Sequence, residues 1–134
     1  METTAATEFI MAFVVPQKRE RYAGFLQSPK RRLRFLRELY HFSDFDPESI
    51  LPISGACDTA EGLLSELRKR GAPATCQIIS VRPDLDGAMK KLSETIHEVF
   101  AVAEGTIVIC IPGRLAYYEG EAPKNRFILA RSGR

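Results

Sequence analysis

Apolar residues follow two different rhythms along this chain. Up to about residue 42 they recur at helical spacing among lysines and arginines. Beyond about residue 50, helical stripes alternate with short runs rich in β-branched residues. Residues 9–15 form an unbroken apolar run. Such a run suits a short helix capped by Thr7 or a strand equally, because it fits both periods. Pro16 opens a second segment in which Tyr22, Phe25 and Leu26 share a helical face, and proline suits a first helical turn. Ser28 and Pro29 predict the N-cap and first turn of a helix over 29–42. At about 100° per residue, Leu33, Phe35, Leu36, Leu39, Tyr40 and Phe42 fill one arc of that helix. Lys30, Arg34, Arg37 and His41 fall on the opposite side. Arg32 sits among the apolar positions, which predicts snorkelling or a carboxylate partner.

Residues 43–57 read as a long connection with a short strand at 50–53. Asp58 and Thr59 start a helix with Leu63, Leu64 and Leu67 on its apolar face. Arg68, Lys69 and Arg70 suit the negative end of its dipole, and Gly71 stops it. A strand over 75–81 follows, then a turn, then a helix over 89–103 with Leu92, Ile96, Val99, Phe100 and Ala103 in one stripe. Three strands close the chain, at 107–111, 115–118 and 127–130. The first is apolar on both faces, which predicts a central strand covered on both sides. The expected class is therefore α+β. A helical N-terminal third precedes a mixed sheet of four to five strands ending in an antiparallel meander, with helices packed on the sheet.

Between the first two strands of the meander stand Pro112, Gly113 and Arg114. A tight two-residue hairpin wants positive φ at its first central position, and proline forbids it. Pro-Gly prefers a type II turn, so the link is expected to be widened or to bend with a bulge.

Length and composition agree with one domain over 1–134, its basic helical part at about 7–42 and its α/β part at about 50–131. The 134 residues, 45% apolar and 27% charged, suffice for an ordinary core without staples. No basic-then-apolar leader and no run of about 20 apolar residues is present. The chain is read as cytoplasmic, with no membrane partner. Cys57, Cys76 and Cys110 have no paired zinc spacing, and an odd count without a leader argues for reduced thiols. Charge changes the picture more. Net charge is +2, yet residues 1–37 hold eight Lys/Arg against three Glu, and the remainder eleven against fourteen acids. The first third is therefore +5 and the rest −3.

Candidate chemistry follows from that asymmetry. Lys18, Arg21, Lys30, Arg34 and Arg37, interleaved with aromatics, can neutralise phosphates or meet acidic side chains. Arg114 beside the free amide of Gly113 adds a second anion-binding candidate. Cys57 precedes a helix start, where thiols are activated, but a catalytic thiol also needs a base. Asp44, Asp46 and Glu48 fit the early positions of a calcium loop, but Ser49 and Gly55 replace its essential glycine and glutamate. No nucleotide-binding, nucleophile-elbow or zinc-protease motif occurs.

The leading expectation is a small soluble, non-enzymatic interaction domain whose basic helices bind an anionic partner, either an acidic protein face or nucleic acid. No cofactor or metal is expected. The alternative is a small-molecule binder or enzyme with an anion pocket between the 54–59 loop and residues 112–114, using Cys57, Gly113 and Tyr117. A third expectation is a homo-oligomer that pairs through an edge strand at 127–130.

Overall fold

The computed structural model describes residues 4–53, 55–121 and 125–131. Helices α1 (Ala5–Phe13), α2 (Arg19–Leu26) and α3 (Pro29–Glu38) come first. Strand β1 (Ile50–Pro52), helix α4 (Ala60–Lys69) and strand β2 (Thr75–Ser80) follow. Strand β3 (Met89–Lys91), helix α5 (Leu92–Val99) and strands β4 (Thr106–Ile111), β5 (Leu115–Glu119) and β6 (Arg126–Ala130) complete the fold. The six strands form one sheet in the order β1-β6-β5-β4-β2-β3, with every pairing antiparallel.

Alternation along the central strands splits the core in two. Ile107, Ile109, Ala116, Tyr118 and Leu129 face α1, α2 and α3. Val108, Cys110, Leu115, Tyr117 and Ile128 face α4 and α5. The domain is thus three layers, helices on both faces of an antiparallel sheet. Such double coverage explains why β5 is buried along its whole length.

The α+β class, the closing meander and the helices on the sheet are as expected. The sheet itself differs, with six strands instead of four to five and no parallel pair. Both differences trace to β3. Residues 89–91, expected as the start of a helix, pair with Thr75–Gln77 of β2, and helix α5 begins at Leu92. That additional reversal brings β4 back antiparallel to β2, where a plain strand–helix–strand crossover would leave them parallel. Strand β6 is also not an edge: β1 covers it, so oligomer pairing through 127–130 has no open strand there. The true edges are three residues long and carry Pro52 on one side and Lys90 and Lys91 on the other. Proline and lysine are the features that discourage edge pairing.

Local signals placed the starts of α3 and α4, whereas α5 spans only Leu92–Val99 of the expected 89–103 and α3 ends at Glu38. Ser28 accepts from the Arg31 amide and Thr59 from the Gly62 amide, as N-caps do. For α1 the cap is Thr4, which accepts from the Thr7 amide; Thr7 lies inside the helix. At the sheet, α3 is held by a close approach. A methyl group on Gly105 would stand 2.8 Å from Leu39 Cβ and 2.9 Å from its carbonyl carbon. Gly105→Ala is expected to cost about 1–3 kcal/mol, since the end of α3 must lift off the sheet. Thermal unfolding of the variant measures this.

The link between β4 and β5 is a bend with a bulge. Arg114 N–H donates to Ile111 C=O at 2.9 Å, and Gly113 has φ +75°, the geometry of a type II Pro-Gly turn. The register slips between Ile109 and Ile111, which leaves Cys110 as the additional residue.

Candidate functional site

Three of the eight cations in residues 18–37 serve the fold. Lys18 reaches Asp44 at 3.2 Å, so the expectation that it joins an open basic face fails. Asp44 also accepts from the Tyr22 hydroxyl at 2.5 Å, with Glu38 sharing that proton at 3.0 Å. Burial alone would raise the Asp44 carboxyl, but the donors Tyr22 and Lys18, with Arg21 nearby, hold it below the usual range. Arg19 Nε donates to Val14 C=O at 2.7 Å. Arg32 forms a two-pronged pair with Asp86, both contacts 2.8 Å, and Asp86 in turn accepts from the Ser80 amide. This is the carboxylate partner expected for an arginine on an apolar stripe.

The other five cations, Arg21, Lys30, Arg31, Arg34 and Arg37, are exposed and form no ion pair among the described residues. Lys30, Arg34 and Arg37 stand at i, i+4 and i+7, so they share one arc of α3. Arg21 from α2 joins them across the ring of Phe25, with guanidinium carbons of Arg21 and Arg34 at 5.5 and 6.0 Å from its centroid. Leu33 departs from expectation. It is 58% exposed, because the buried arc of α3 centres on Phe35, Leu36, Leu39 and the paired Arg32. Leu33 is three residues from Lys30 and four from Arg37, which makes it an apolar spot flanked by cations.

The alternative pocket does not assemble. Ser54 lies outside the described residues. Cys57 and Asp58 lie at the Glu119 end of β5, where Asp58 pairs with Arg126 opposite Glu119. Gly113 and Arg114 lie beyond Leu115, at the other end of the same strand. Five residues of strand separate them, about 14 Å. Gly113 faces α1, with Glu8 C=O 3.8 Å from where its Cβ would be. Tyr117 is fully buried and donates to Glu119 at 2.6 Å. The Cys57 thiol is 4.0 Å from Glu66, and neither histidine is bonded to it: His41 pairs with Glu121, and His97 Nδ1 contacts Ser93 C=O.

Two arrangements escaped the sequence reading. One is the buried carboxylate of Glu119, which accepts from Tyr117 and from the amides of Ala101 and Ala103, both at φ +64°. The available signal was the inward alternation Leu115, Tyr117, Glu119, which puts a charge on the α4/α5 face. Arg126 stands opposite Glu119 but turns to Asp58 at 2.9 Å and packs on the Phe100 ring at 4.7 Å; its Nε is buried without a partner among the described residues. The other is a recess of about 510 Å³ beside the 112–114 turn, with Arg70, Arg114 and Arg131 among its lining residues. No sequence signal joins these three, since they come from separate elements. Arg114 is the one expected binding residue that lines it.

The class of protein these features define is a three-layer α+β domain with an open cationic helical face. Comparison with protein-family models, curated proteins and solved structures gives no match. Among the described residues no helix is long and apolar enough to cross a membrane. No group of three or more His, Cys, Asp or Glu among them is placed to hold a metal ion.

Proposed function

We propose that the protein is a small non-enzymatic interaction domain whose α2–α3 face docks an acidic segment of a partner protein. One observation carries this reading: Leu33 stands exposed between Lys30 and Arg37, on a face whose cations have no internal counter-charge among the described residues. An apolar anchor with a cationic rim suits an amphipathic acidic segment. Nucleic acid is the less favoured partner. The Phe25 ring is already covered by Arg21 and Arg34, so it offers no platform for base stacking, and the chain as a whole carries only +2. The free state of all three thiols supports a cytoplasmic setting. The Cys57 thiol contacts Glu66, while His41 pairs with Glu121 and His97 with Ser93 C=O, and these partners support binding over catalysis.

The test is the affinity of the protein for an acidic, leucine-containing amphipathic peptide and for single- and double-stranded DNA across salt. The double reversal Arg34→Glu and Arg37→Glu is expected to weaken peptide binding by at least about tenfold. It should lower the unfolding temperature only modestly, through the Arg34–Phe25 contact and the α3 end at Arg37, because neither side chain has an ion pair among the described residues to lose. Leu33→Ser should weaken the peptide and spare DNA. Tighter binding of duplex DNA that ignores Leu33→Ser moves the assignment to nucleic acid. No binding of either probe at low salt ends it.

A further inference from the structure

The β2–β4 ladder sets two buried thiols against each other. Its register pairs Ser80 with Thr106, Ile78 with Val108 and Gln77 with Ile109. One further step places Cys76 opposite Cys110, and both side chains belong to the core on the α4/α5 face. That is the side of the sheet away from α1, α2 and α3, so the pair is separate from the basic helical face. The backbone bonds decide what kind of pair it is. Val81 N–H donates to Gly105 C=O, which makes 81–105 a hydrogen-bonded pair, and such pairs alternate along an antiparallel ladder. Odd-numbered residues of β2 therefore bond to β4. Ile78, which exchanges bonds with Gly87 and Ala88, turns its backbone the other way. Cys76–Cys110 is thus a non-hydrogen-bonded pair, the closer of the two kinds, with Cα atoms about 4.5 Å apart. A disulfide spans about 4.4–6.8 Å between Cα atoms.

The same ladder shows how near the side chains of such a pair come. Ser80 and Thr106 hold the equivalent position four residues along, and their hydroxyl oxygens are 2.9 Å apart. At Cys76 and Cys110 sulfur stands in place of oxygen. The bulge at Cys110 slips the register against β5, on the other edge of β4, while Gln77–Ile109 beside the thiols stays paired. Both thiols are free and buried. Burial pushes both above the ordinary thiol range, Cys110 up to about 12 with the neighbouring Cys76 adding to it. At Cys76 the Thr95 hydroxyl and Lys90 work against burial, so this thiol ionises first.

We infer that Cys76 and Cys110 are a redox modification site, at which a peroxide converts the two thiols to a disulfide that staples β2 to β4 within the folded domain. The Cys76 thiolate attacks one peroxide oxygen, the O–O bond breaks, and a sulfenic acid and one water result. The Cys110 thiol then attacks the Cys76 sulfur, the S–O bond breaks, and a second water leaves with the thiol's proton. Two thiols lose two electrons and two protons, and one hydrogen peroxide becomes two waters. Local opening at the three-residue edge strand β3, which pairs Lys90 with Cys76, is the way in for the oxidant.

The test is to treat the folded protein with hydrogen peroxide, quench with catalase, and alkylate under denaturing, non-reducing conditions. Intact mass should show the loss of two hydrogens and one alkylated thiol, Cys57, and peptide mapping should place the linkage at 76–110. Dithiothreitol should restore all three thiols. The linked form should melt at least about 5 °C above the reduced one, because the bond closes the 76–110 loop of the unfolded chain. Cys57→Ser should form the same bond. In Cys110→Ala, which lacks the resolving thiol, dimedone should trap the sulfenic acid on Cys76. Protein oxidised in denaturant should link Cys57 as well, which shows that the fold selects the pair. The inference is overturned if the folded protein keeps three alkylatable thiols, if its linkage includes Cys57, if Cys76 and Cys110 gain oxygens without joining, or if the linked form melts no higher than the reduced one.

Discussion

Glu119→Ala is expected to lower the unfolding free energy by about 3–5 kcal/mol, since it removes three hydrogen bonds to a carboxylate, each worth about 1.5–3 kcal/mol before relaxation. Glu119 is 1% exposed, so water does not replace what the mutation removes. The carboxylate accepts from the Ala101 amide at 2.8 Å, the Ala103 amide at 2.5 Å and the Tyr117 hydroxyl at 2.6 Å. Alanine leaves the buried Tyr117 hydroxyl unpaired, at about 1–3 kcal/mol, and takes the acceptor from the part-buried amides of Ala101 and Ala103. Relaxation is part of the effect. Ala101 and Ala103 both hold left-handed backbone, which costs about 1–2 kcal/mol per residue and persists only while the carboxylate draws their amides inward. Released, the 100–104 loop should move away from β5 and expose Phe100. Glu119→Gln keeps an acceptor oxygen but turns an amide toward donors, so its loss should be intermediate. Denaturant titration of the three proteins checks the order. A loss below about 1 kcal/mol for the alanine variant would mean that the loop is held by its own packing and not by Glu119.

The contrast between Glu119 and α3 shows what a one-dimensional pattern carries. Stripes and alternations depend on spacing alone, so the helices on the basic side, the both-sided burial of β4 and the closing meander were legible. The serine–proline start of α3 and the threonine cap of α4 are local for the same reason. What escaped depends on partners remote in sequence. Met89–Lys91 joins the sheet through its backbone against Thr75–Gln77, with side chains too polar to mark a strand. Helical spacing alone turns Leu33 inward and leaves Arg32 out of the apolar face, but the Asp86 pair makes that arginine part of the buried side and turns the arc. Lys18 looked open until Asp44, 26 residues on, was folded against it. The candidate sites divide the same way. Arg34 and Arg37 are neighbours by helical spacing, whereas the recess lined by residues such as Arg70, Arg114 and Arg131 exists only because a helix end, a turn and a strand end arrive at one corner of the sheet.

Alkali should unfold this protein within about two to three pH units above pH 9. Three phenols and two thiols are driven upward by the fold. Burial is the largest cause for each tyrosine. The negative Glu119 adds to it at Tyr117, and hydrogen bonds to Asp44 and Glu38 add to it at Tyr22. Tyr118 is pushed up to about 12, its burial only partly offset by the Phe42 amide that donates to it. Burial also takes the Cys110 thiol up to about 12 and raises that of Cys76. A group whose folded value lies above its unfolded one stabilises the fold fully below the unfolded value, about 10 for tyrosine and about 8.5 for cysteine. That contribution is lost as pH climbs toward the folded value, because the unfolded chain ionises first. For Tyr118 alone the loss is about 3 kcal/mol by the time the pH passes its folded value. Between pH 10 and 12 each buried phenol removes about 1.4 kcal/mol per pH unit, so the three together remove about 8 kcal/mol, which is comparable to a typical stability of about 5–15 kcal/mol. Denaturant titrations at successive pH values measure the slope, and tyrosinate absorbance should rise together with loss of tertiary structure instead of before it. Tyr118→Phe separates linkage from packing. The variant loses the bonds to Leu39 C=O and the Phe42 amide and is weaker at neutral pH, yet its stability should fall less steeply in alkali, by one proton. A parent slope of one proton or less above pH 10 would mean that these hydroxyls reach solvent, and with it that the aromatic seam between the N-terminal helices and the sheet is not closed.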